Sequence, residues 1–469
     1  MGSYNKVLLL LALGVTIISG CAVGPEYQRP EVPQQAHWNG GPSSTQTLVF
    51  PEIWWEVFQD ENLNATMQLA VSANQDLKLA HSRVTEARAL ARLSAAEWYP
   101  SVSANAAYSH SRLSGNRPNV PGQSLEVDDH SATFDLSYEL DVWGRVRRTV
   151  EAARADAAAV ESDLAVVLLT LTSDVARNYF LLRSLDNERS VVRATEVLRE
   201  DAVRLQSTRY QAGLINEVDV TRAKTELANV EAELHALDRE RAQIEHALAV
   251  LCGQTAGLFV IAPVAWSADV PEVPAGLPST LLERRPDLVE AEQGLAAACA
   301  RVGVAKAAFF PTIKLTGGAG VASADLASIV DWPSRVASFG PSISVPVFTG
   351  GRNRANLKAA QARYDQSLAQ YRGTILRAFQ EVEDALSNLT TLASEAEAVS
   401  RAVHSARDTA ALALERYERG LSSYLEVVDA QRVALQAERQ EIQLRGEQAV
   451  STILLAKAIG GGWQPKPSE

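Results

Sequence analysis

The side chains that most often perform acid-base or metal chemistry are scattered along this sequence of 469 residues. Its histidines are His37, His81, His110, His130, His235, His246 and His404. None of them belongs to an HExxH arrangement, and the chain has neither a CxxC pair nor a phosphate-binding GxxxxGK loop. Carboxylates are plentiful, but on long polar helices they usually face solvent. We therefore expect no enzymatic activity, no catalytic residue, no bound cofactor and no metal site.

One cysteine has a setting that predicts covalent modification. Cys21 ends the sequence ISGC and follows an apolar run of twelve residues, 7–18. Such a run is too short to cross about 30 Å of hydrocarbon as a helix, whereas small residues ahead of a cysteine suit a signal peptidase. The stretch resembles a bacterial lipoprotein signal. This resemblance implies that residues 1–20 are removed, that Cys21 carries a diacylglycerol and an N-acyl chain, and, with Ala22 behind it instead of aspartate, that the protein is sorted to the outer membrane. An uncleaved anchor with an incidental cysteine is the alternative.

The composition and charge of the chain indicate long helices and exclude one class of partner. Hydrophobic residues make up 46% of the chain but aromatic residues only 6%, which favours extended helices packed through small side chains. The net charge of -12 and the lack of a Lys/Arg stripe exclude nucleic acid as a partner.

We expect Cys252 and Cys299 to be small buried side chains, and a disulfide between them stays open at this stage.

The chain repeats one plan in two halves. RYQAGLINEVDVTRAKT, residues 209–225, returns as RYERGLSSYLEVVDAQR, residues 416–432, at an offset of 207. Around Pro100 and Pro311 the offset is instead 211, so a variable loop must follow Pro100. Residues 111–124 have the Gly, Pro, Asn and Ser content of such a loop. A repeat of this length predicts duplication of half a protein, because solenoid units are much shorter.

Each half contains segments that alternate like strands. From Ser131 to Val142 apolar and polar residues alternate without a fault, as in a sheet with one apolar and one wet face. Residues 101–110, 312–321 and 340–348 match less well. The sequence therefore predicts four strands of about ten residues, the length of a tilted strand in an outer membrane.

Four strands leave two unpaired edges, which a bilayer does not tolerate because each unsatisfied group costs several kcal/mol. Other chains must complete a barrel. Two copies would give about eight strands around a lumen filled by side chains, whereas three would give about twelve and room for a conduit.

Very long helices follow each strand pair. From about Arg147 to the break at Gly213 the helix is roughly 100 Å long at about 1.5 Å per residue. Behind that break a 3,4 spacing of apolar residues is typical of a coiled-coil seam, with only Arg241 out of pattern. The seam residues are Leu227, Val230, Leu234, Leu237, Ile244, Leu248 and Leu251. An ordinary amphipathic helix is the alternative interpretation.

Three stretches together carry a family resemblance. LLERRPDLVEAEQGLAAACARVGVAKAAFFPTIKL (281–315), the turn at Gly351-Arg352 and residues 416–432 resemble the outer membrane factor family of TolC-like trimeric channels, in the lipoprotein branch of multidrug efflux outer membrane proteins. The resemblance covers nearly the whole mature chain. It implies a mixed α and β membrane protein: a homotrimer with a twelve-stranded transmembrane β-barrel, four strands per chain, continuous with a long periplasmic α-helical barrel.

The resemblance also implies location, partners and function. It implies a bacterial outer membrane protein, lipid-anchored and extending into the periplasm, that serves as the channel of a tripartite efflux system. Its partners would be a periplasmic adaptor (membrane fusion protein), an inner-membrane pump of the resistance-nodulation-division type, and outer membrane lipid. A type I secretion-like export duct and a non-conducting coiled-coil lipoprotein stay as alternatives, and ion conductance would exclude the second.

Within this plan we predict six segments, two of them repeats that each contain a helix, two strands and a long helical hairpin. They are a signal peptide (1–20), a lipid-anchored linker and equatorial segment (21–73), a first repeat (74–252), an equatorial inter-repeat linker (253–280), a second repeat (281–459) and a C-terminal tail (460–469).

The doubled phrase predicts a periplasmic gate. Each copy lies where a long helix turns back, with hairpin tips at Gly213 and Gly420, and three chains would bring six hairpins together. Leu425, Asp429 and Arg432 share one helix face through i, i+4 and i, i+3 spacing.

By resemblance, Tyr417, Leu425, Asp429 and Arg432 match gate positions. Arg222 stands in the first copy where Asp429 stands in the second, so inner and outer hairpins could pair as unlike partners. The alternative is that Asp429 and Arg432 form only a helix-surface pair.

Overall fold

The structure is a computed structural model that describes residues 22–31, 38, 53–116, 124–267, 270–271 and 284–464. Cys21 and the predicted signal peptide lie outside the described residues, as do residues 117–123 of the predicted loop.

Long helices dominate the described chain. Their bounds are α1 Glu61–Ala73, α2 Gln75–Ala95, α3 Arg145–Gln211, α4 Glu217–Leu251, α5 Pro286–Ala307, α6 Arg352–Glu418 and α7 Tyr424–Ala458. Short 3-10 helices span Trp54–Phe58, Ala96–Trp98, Leu326–Ser328 and Trp332–Ser334. α3 and α6 have 67 residues each, about 100 Å of helix, and α4 and α7 have 35 each. These equal lengths agree with the predicted duplication.

Both long helices end in the same glycine turn, as the sequence predicts. Gly213 and Gly420 have φ of 71° and 72°, a left-handed conformation that costs a side chain-bearing residue free energy. In each turn the amide of the next residue donates back across the helix end, from Leu214 to the Arg209 carbonyl at 2.9 Å and from Leu421 to the Arg416 carbonyl at 2.8 Å. This is the hydrogen bonding of a glycine-terminated helix.

Four strands form one antiparallel sheet in the order β1-β2-β3-β4. They span β1 Ser101–Leu113, β2 Leu125–Leu140, β3 Thr312–Ser323 and β4 Arg335–Ser344. The predicted number of strands is confirmed.

The predicted bounds of two strands, β4 and β2, differ most from those of the structure. β4 is shifted from the predicted 340–348, because Gly340 and Pro341 look like a turn signal and hide the pairing of the preceding residues with β3. Beyond Ser344, Pro346 has no amide hydrogen to extend the ladder. β2 starts at Leu125, before the predicted Ser131, since its polar first residues pair with the outer half of β1.

The register places one kind of residue on each face of the sheet. Leu136 of β2 is opposite Val102 and Gly317, and the residues two apart from them continue an apolar face. That face ends in Ile343 and Phe339 on β4. The other face carries Ser, Thr, Asn and Gly with few charges. The alternation predicted for the sequence is therefore present across all four strands.

The chain divides into two compact units, and each takes segments from both halves of the sequence. The strand unit contains the described parts of 1–30, 84–160 and 290–371. The hairpin unit contains the described parts of 31–83, 161–289 and 372–469.

In the strand unit the N-terminal segment lies along α5. Tyr27 donates a hydrogen bond to Glu292 at 3.2 Å, and Arg29 pairs with the same carboxylate at 3.0 Å. Further towards the N-terminus, Gly24 has φ of 123° and packs closely on Gly303. A Cβ added to Gly24 would lie 2.5 Å from the Cα of Gly303. The amide of Val23 then donates to the carbonyl of Trp143 at 3.0 Å. Residues 22–29 thus lead from α5 to the junction of sheet and helix.

The hairpin unit has an aromatic and aliphatic core. Trp54, Tyr179 and Phe180 are among its largest buried side chains, and α1 adds Leu63 and Met67 with no exposed surface. Burial raises the pKa of Tyr179 to about 12, and the hydrogen bond that its hydroxyl donates to Asp60 at 2.8 Å acts in the same direction. Of the apolar 3,4 pattern predicted for α4, Leu248 is buried in this core, and Val230, Leu234 and Leu237 are buried in a second cluster with Leu185 and Val192.

Arg241, the residue out of pattern in the seam, is held by carboxylates. Its Nε donates to Asp186 at 2.7 Å and its Nη1 to Glu245 at 3.2 Å. Its Nη2 donates to the carbonyl of Ile261 at 2.6 Å, while Glu245 accepts from the Ile261 amide at 2.6 Å. The side chain of Asp186 is 2% exposed and also pairs with Arg183. Arg241 therefore fixes the inter-repeat linker onto the helices.

Cys252 and Cys299 are buried free thiols, which confirms the expected burial and closes the disulfide alternative. Burial raises the pKa of Cys252 to about 11. Among the described residues, no helix combines the length and apolar character needed to cross a membrane.

Candidate functional site

The hairpin unit brings side chains of both hairpins together near the glycine turns. The hydroxyl of Tyr417 accepts a hydrogen bond from Nη1 of Arg209 at 2.6 Å and from Nε2 of Gln206 at 2.8 Å. The guanidinium carbon of Arg209 also lies 5.0 Å from the centre of the tyrosine ring. Because these partners belong to α3, the predicted gate residue Tyr417 links the first hairpin to the second.

Arg432 makes the strongest polar contact at this site. Its Nε donates to Oε2 of Glu226 at 3.0 Å and its Nη2 donates to Oε1 of the same carboxylate. The side chain of Glu226 is 5% exposed, whereas that of Arg432 is 56% exposed. The hydrogen bonds from Arg432 to Glu226 raise the pKa of Arg432, so the guanidinium stays charged. A bidentate pair of this kind fixes the orientation of Arg432.

Of the other predicted gate residues, Leu425 and Asp429 are exposed and Arg222 is partly buried. Leu425 is 42% exposed, and the side chain of Asp429 is 60% exposed with its Oδ1 3.9 Å from Nη1 of Arg432. Arg222 lies beside Asp219 of its own helix, Nη1 to Oδ1 3.7 Å, and not beside Asp429 of the same chain. The structure therefore brings Arg432 and Tyr417 to the first hairpin and leaves Leu425 and Asp429 open to contacts outside the chain.

A small apolar cluster supports the polar contacts. Ala223, Tyr424, Val427 and Val428 are buried together, and Tyr417 packs against them. The ring centres of Tyr417 and Tyr424 are 5.7 Å apart. Burial raises the pKa of Tyr424, which keeps its hydroxyl protonated.

Sequence reasoning missed the first-hairpin partners. Arg199 is 2% exposed and donates from Nη1 to Gln431 at 2.7 Å, and Gln206 is fully buried. Arg199 and Gln206 are seven residues apart, so polar residues at heptad spacing on a buried face were the available signal. Glu226 follows Arg222 by four residues, a spacing typical of a pair on a helix surface, so the sequence carries no signal of its burial.

A cavity of about 510 Å³ opens beside the ion pair. α4 lines it with Val218, Arg222 and Glu226, and α7 with Arg432. The cavity therefore borders both members of the ion pair. Among the described residues, no group of three or more His, Cys, Asp or Glu side chains is placed to hold a metal ion.

Comparisons with known proteins agree over almost the whole chain. The sequence profile of the Outer membrane efflux protein family matches residues 41–254 and 277–461. The probable efflux pump outer membrane protein TtgC of Pseudomonas putida is 34% identical over 466 residues, which covers 98% of this chain and 96% of that protein. The cation efflux system protein CusC of Escherichia coli is 33% identical and covers 95% of this chain and 97% of its own.

A solved structure shows the same fold. The outer-membrane channel OprN superimposes with a TM-score of 0.90 and 31% sequence identity, over 95% of this chain and all of that one. These matches include the strands, both hairpins and the glycine turns described above. The chain belongs to the outer membrane efflux protein family and is the outer membrane channel component of an efflux system.

Proposed function

We propose that three copies of this chain form the channel of a tripartite efflux system. The observation that supports this proposal most directly is the open sheet. Within the described chain β1 and β4 each pair with only one neighbouring strand, and one face of the sheet is apolar. In hydrocarbon such edges cost several kcal/mol per unsatisfied group, so β4 of one copy pairs with β1 of the next. Three copies close about twelve strands around a water-filled lumen, continuous with a periplasmic helical barrel.

The lipid anchor belongs to this proposal. Cys21 directly precedes Ala22, whose Cβ lies 2.8 Å from the position of a Cβ built on Gly144. Gly144 stands between the end of β2 and the start of α3. Ala22 therefore lies at the helix-side end of the sheet, where a barrel would leave the membrane. This placement supports acylation of Cys21 by diacylglycerol and an N-acyl chain.

The gate is closed by several weak contacts. Within each chain Arg432 binds Glu226 and Tyr417 binds Arg209 and Gln206, while Leu425 and Asp429 are exposed to another copy. Asp429 then pairs with the Arg222 of a neighbouring copy across the chain boundary, as their unlike charges allow. An exposed pair contributes about 0.2 to 1 kcal/mol. A set of such contacts repeated threefold keeps the tips together and still lets a partner separate them.

The partners follow from the place of the gate. A pump in the inner membrane needs a conduit that it can open, so a periplasmic adaptor must contact the hairpin tips. We propose a membrane fusion protein for this role and a resistance-nodulation-division pump behind it. TtgC and CusC are efflux components by name, which supports the assignment of this chain to the same kind of system.

Reconstitution tests the proposal. Purified full-length protein in a planar lipid bilayer should show discrete conductance steps, and cysteine pairs placed on β1 and β4 should cross-link into trimers. A non-conducting tether would give no steps and no trimer. A trimer without conductance, even after removal of gate side chains, would also contradict the channel.

A further inference from the structure

The polar face of the sheet carries one isolated charge. Along β2 this face presents Ser131, Thr133, Asp135 and Ser137, and in register with Asp135 are Ser103 on β1 and Gly318 on β3. Ser338 of β4 completes the row. Among the described residues of the four strands, Asp135 is the only charged side chain on this face between the levels of Ser131 and Ser137.

The side chain of Asp135 is held in place by neutral groups. Asn105 donates to its Oδ2 at 2.6 Å and Thr133 donates to the same oxygen at 3.1 Å. A Cβ on Gly318 would lie 3.0 Å from its Oδ1, so the glycine makes room for the carboxylate. No cation pairs with Asp135 in the described sheet.

Charges nearer the helices balance one another. Arg145 donates to Glu139 at 2.6 Å and pairs with Glu97 at 2.9 Å. Lys314 stands opposite Glu139 in the register. These two acids and two bases sum to zero, so they add no net charge on the helix side of Asp135.

Asp135 lies halfway up the apolar band of the sheet. It is five residues from Leu140, the last residue of β2. At about 3.3 Å per residue and a tilt of about 40°, this corresponds to roughly 13 Å of a band about 25 Å tall. Low-dielectric walls on all sides focus the field of a charge at this level.

We infer that Asp135 determines the ionic preference of the channel within the membrane, by placing a ring of three carboxylates in the lumen that favours cations and cationic cargo over anions. This inference rests on the proposed trimeric channel. A fixed charge acts on mobile ions within about one Debye length, roughly 10 Å at 0.1 M salt. Near the three carboxylates the concentration of cations therefore exceeds that of anions.

The test is the reversal potential across a planar bilayer in a potassium chloride gradient. The full-length protein is used with Leu425→Ala and Asp429→Ala, which opens the tips and removes their charge. In this parent the potassium to chloride permeability ratio should exceed one. Asp135→Asn, which preserves size and hydrogen bonding, should lower the ratio by about two- to threefold.

Two further variants complete the design. Asp128→Asn removes a charge from the opposite face of the same strand, so the ratio should not change. Ser338→Asp adds a carboxylate to the row of Asp135 and should raise the ratio, which decides the matter if Asp135→Asn forms no channels. An unchanged ratio in both Asp135→Asn and Ser338→Asp would overturn the inference, whereas loss of all conductance in the parent would overturn the channel itself.

Discussion

At the scale of single residues, the ion pair between Arg432 and Glu226 is the contact at the hairpin tips with the best-defined geometry. Its carboxylate is almost fully buried and its guanidinium is half exposed. Loss of Arg432 leaves a buried charge without its partner, which is more costly than loss of a surface pair. The cavity beside the pair leaves open space around the arginine, which fits the proposed gate.

Removal of either member of this pair should loosen the gate. In a host that lacks its own channel, Arg432→Ala and Glu226→Gln should each increase susceptibility to large antibiotics that normally do not enter. The double variant should be no more susceptible than the more severe single one, since both remove one contact. Glu447→Gln, an exposed carboxylate elsewhere on α7, serves as control. Equal susceptibility of all variants at equal trimer content would contradict this role.

At the scale of elements, periodicity in the sequence predicted most of the fold. The long helices and the glycine turns that end them follow from local chemistry at Gly213 and Gly420. The strands follow from the alternation of polar and apolar residues, which is clearest in β2. Tertiary partners could not be predicted in the same way. Glu226 and Gln206 are buried by residues about two hundred positions away, and a helical pattern does not show which helix a polar residue will meet. For the same reason, the sequence shows Arg241 only as a residue out of the apolar 3,4 pattern and does not show its carboxylate partners.

Arg241 should be essential for attachment of the linker. Arg241→Leu restores the apolar seam but leaves buried Asp186 with only one of its two arginines, at a cost of about 1 to 3 kcal/mol. We expect a lower midpoint of thermal unfolding and faster chymotryptic cleavage at Phe259 and Trp266, which flank Ile261. Arg239→Leu, an exposed site on the same helix, should change neither. Normal stability of Arg241→Leu would mean that Arg183 alone satisfies Asp186 and that the linker needs no such contact.

At the scale of the whole molecule, the strand hairpins and the glycine turns should lie on opposite sides of the outer membrane. Cysteines at Ser114 and Leu214 test this arrangement; Leu214 is 72% exposed and avoids the left-handed backbone of Gly213. A membrane-impermeant thiol reagent added to whole cells should label Ser114→Cys and spare Leu214→Cys, and permeabilised cells should show both. Labelling of only the second in whole cells would reverse the topology.

The anchor should assist insertion without being indispensable. Cys21→Ser should leave part of the protein as a trimer that assembles poorly or stays in the periplasm, with partial loss of efflux. The reason is that a closed barrel already buries its own apolar band in the membrane. The acyl chains add a second attachment to the membrane. Membrane fractionation and mass spectrometry of the N-terminus measure both effects. Complete solubility of Cys21→Ser would argue against the barrel.

The central claim, that this chain forms a channel held shut at its hairpin tips, is tested most directly by single-channel conductance of gate variants. Asp429→Ala should raise the conductance above that of the native protein, and adding Leu425→Ala or Tyr417→Phe should raise it further, because each removes one of several contacts that close the tips. Glu447→Gln should have the native value. A double variant that is trimeric and inserted, but has the conductance of the native protein, would contradict the account.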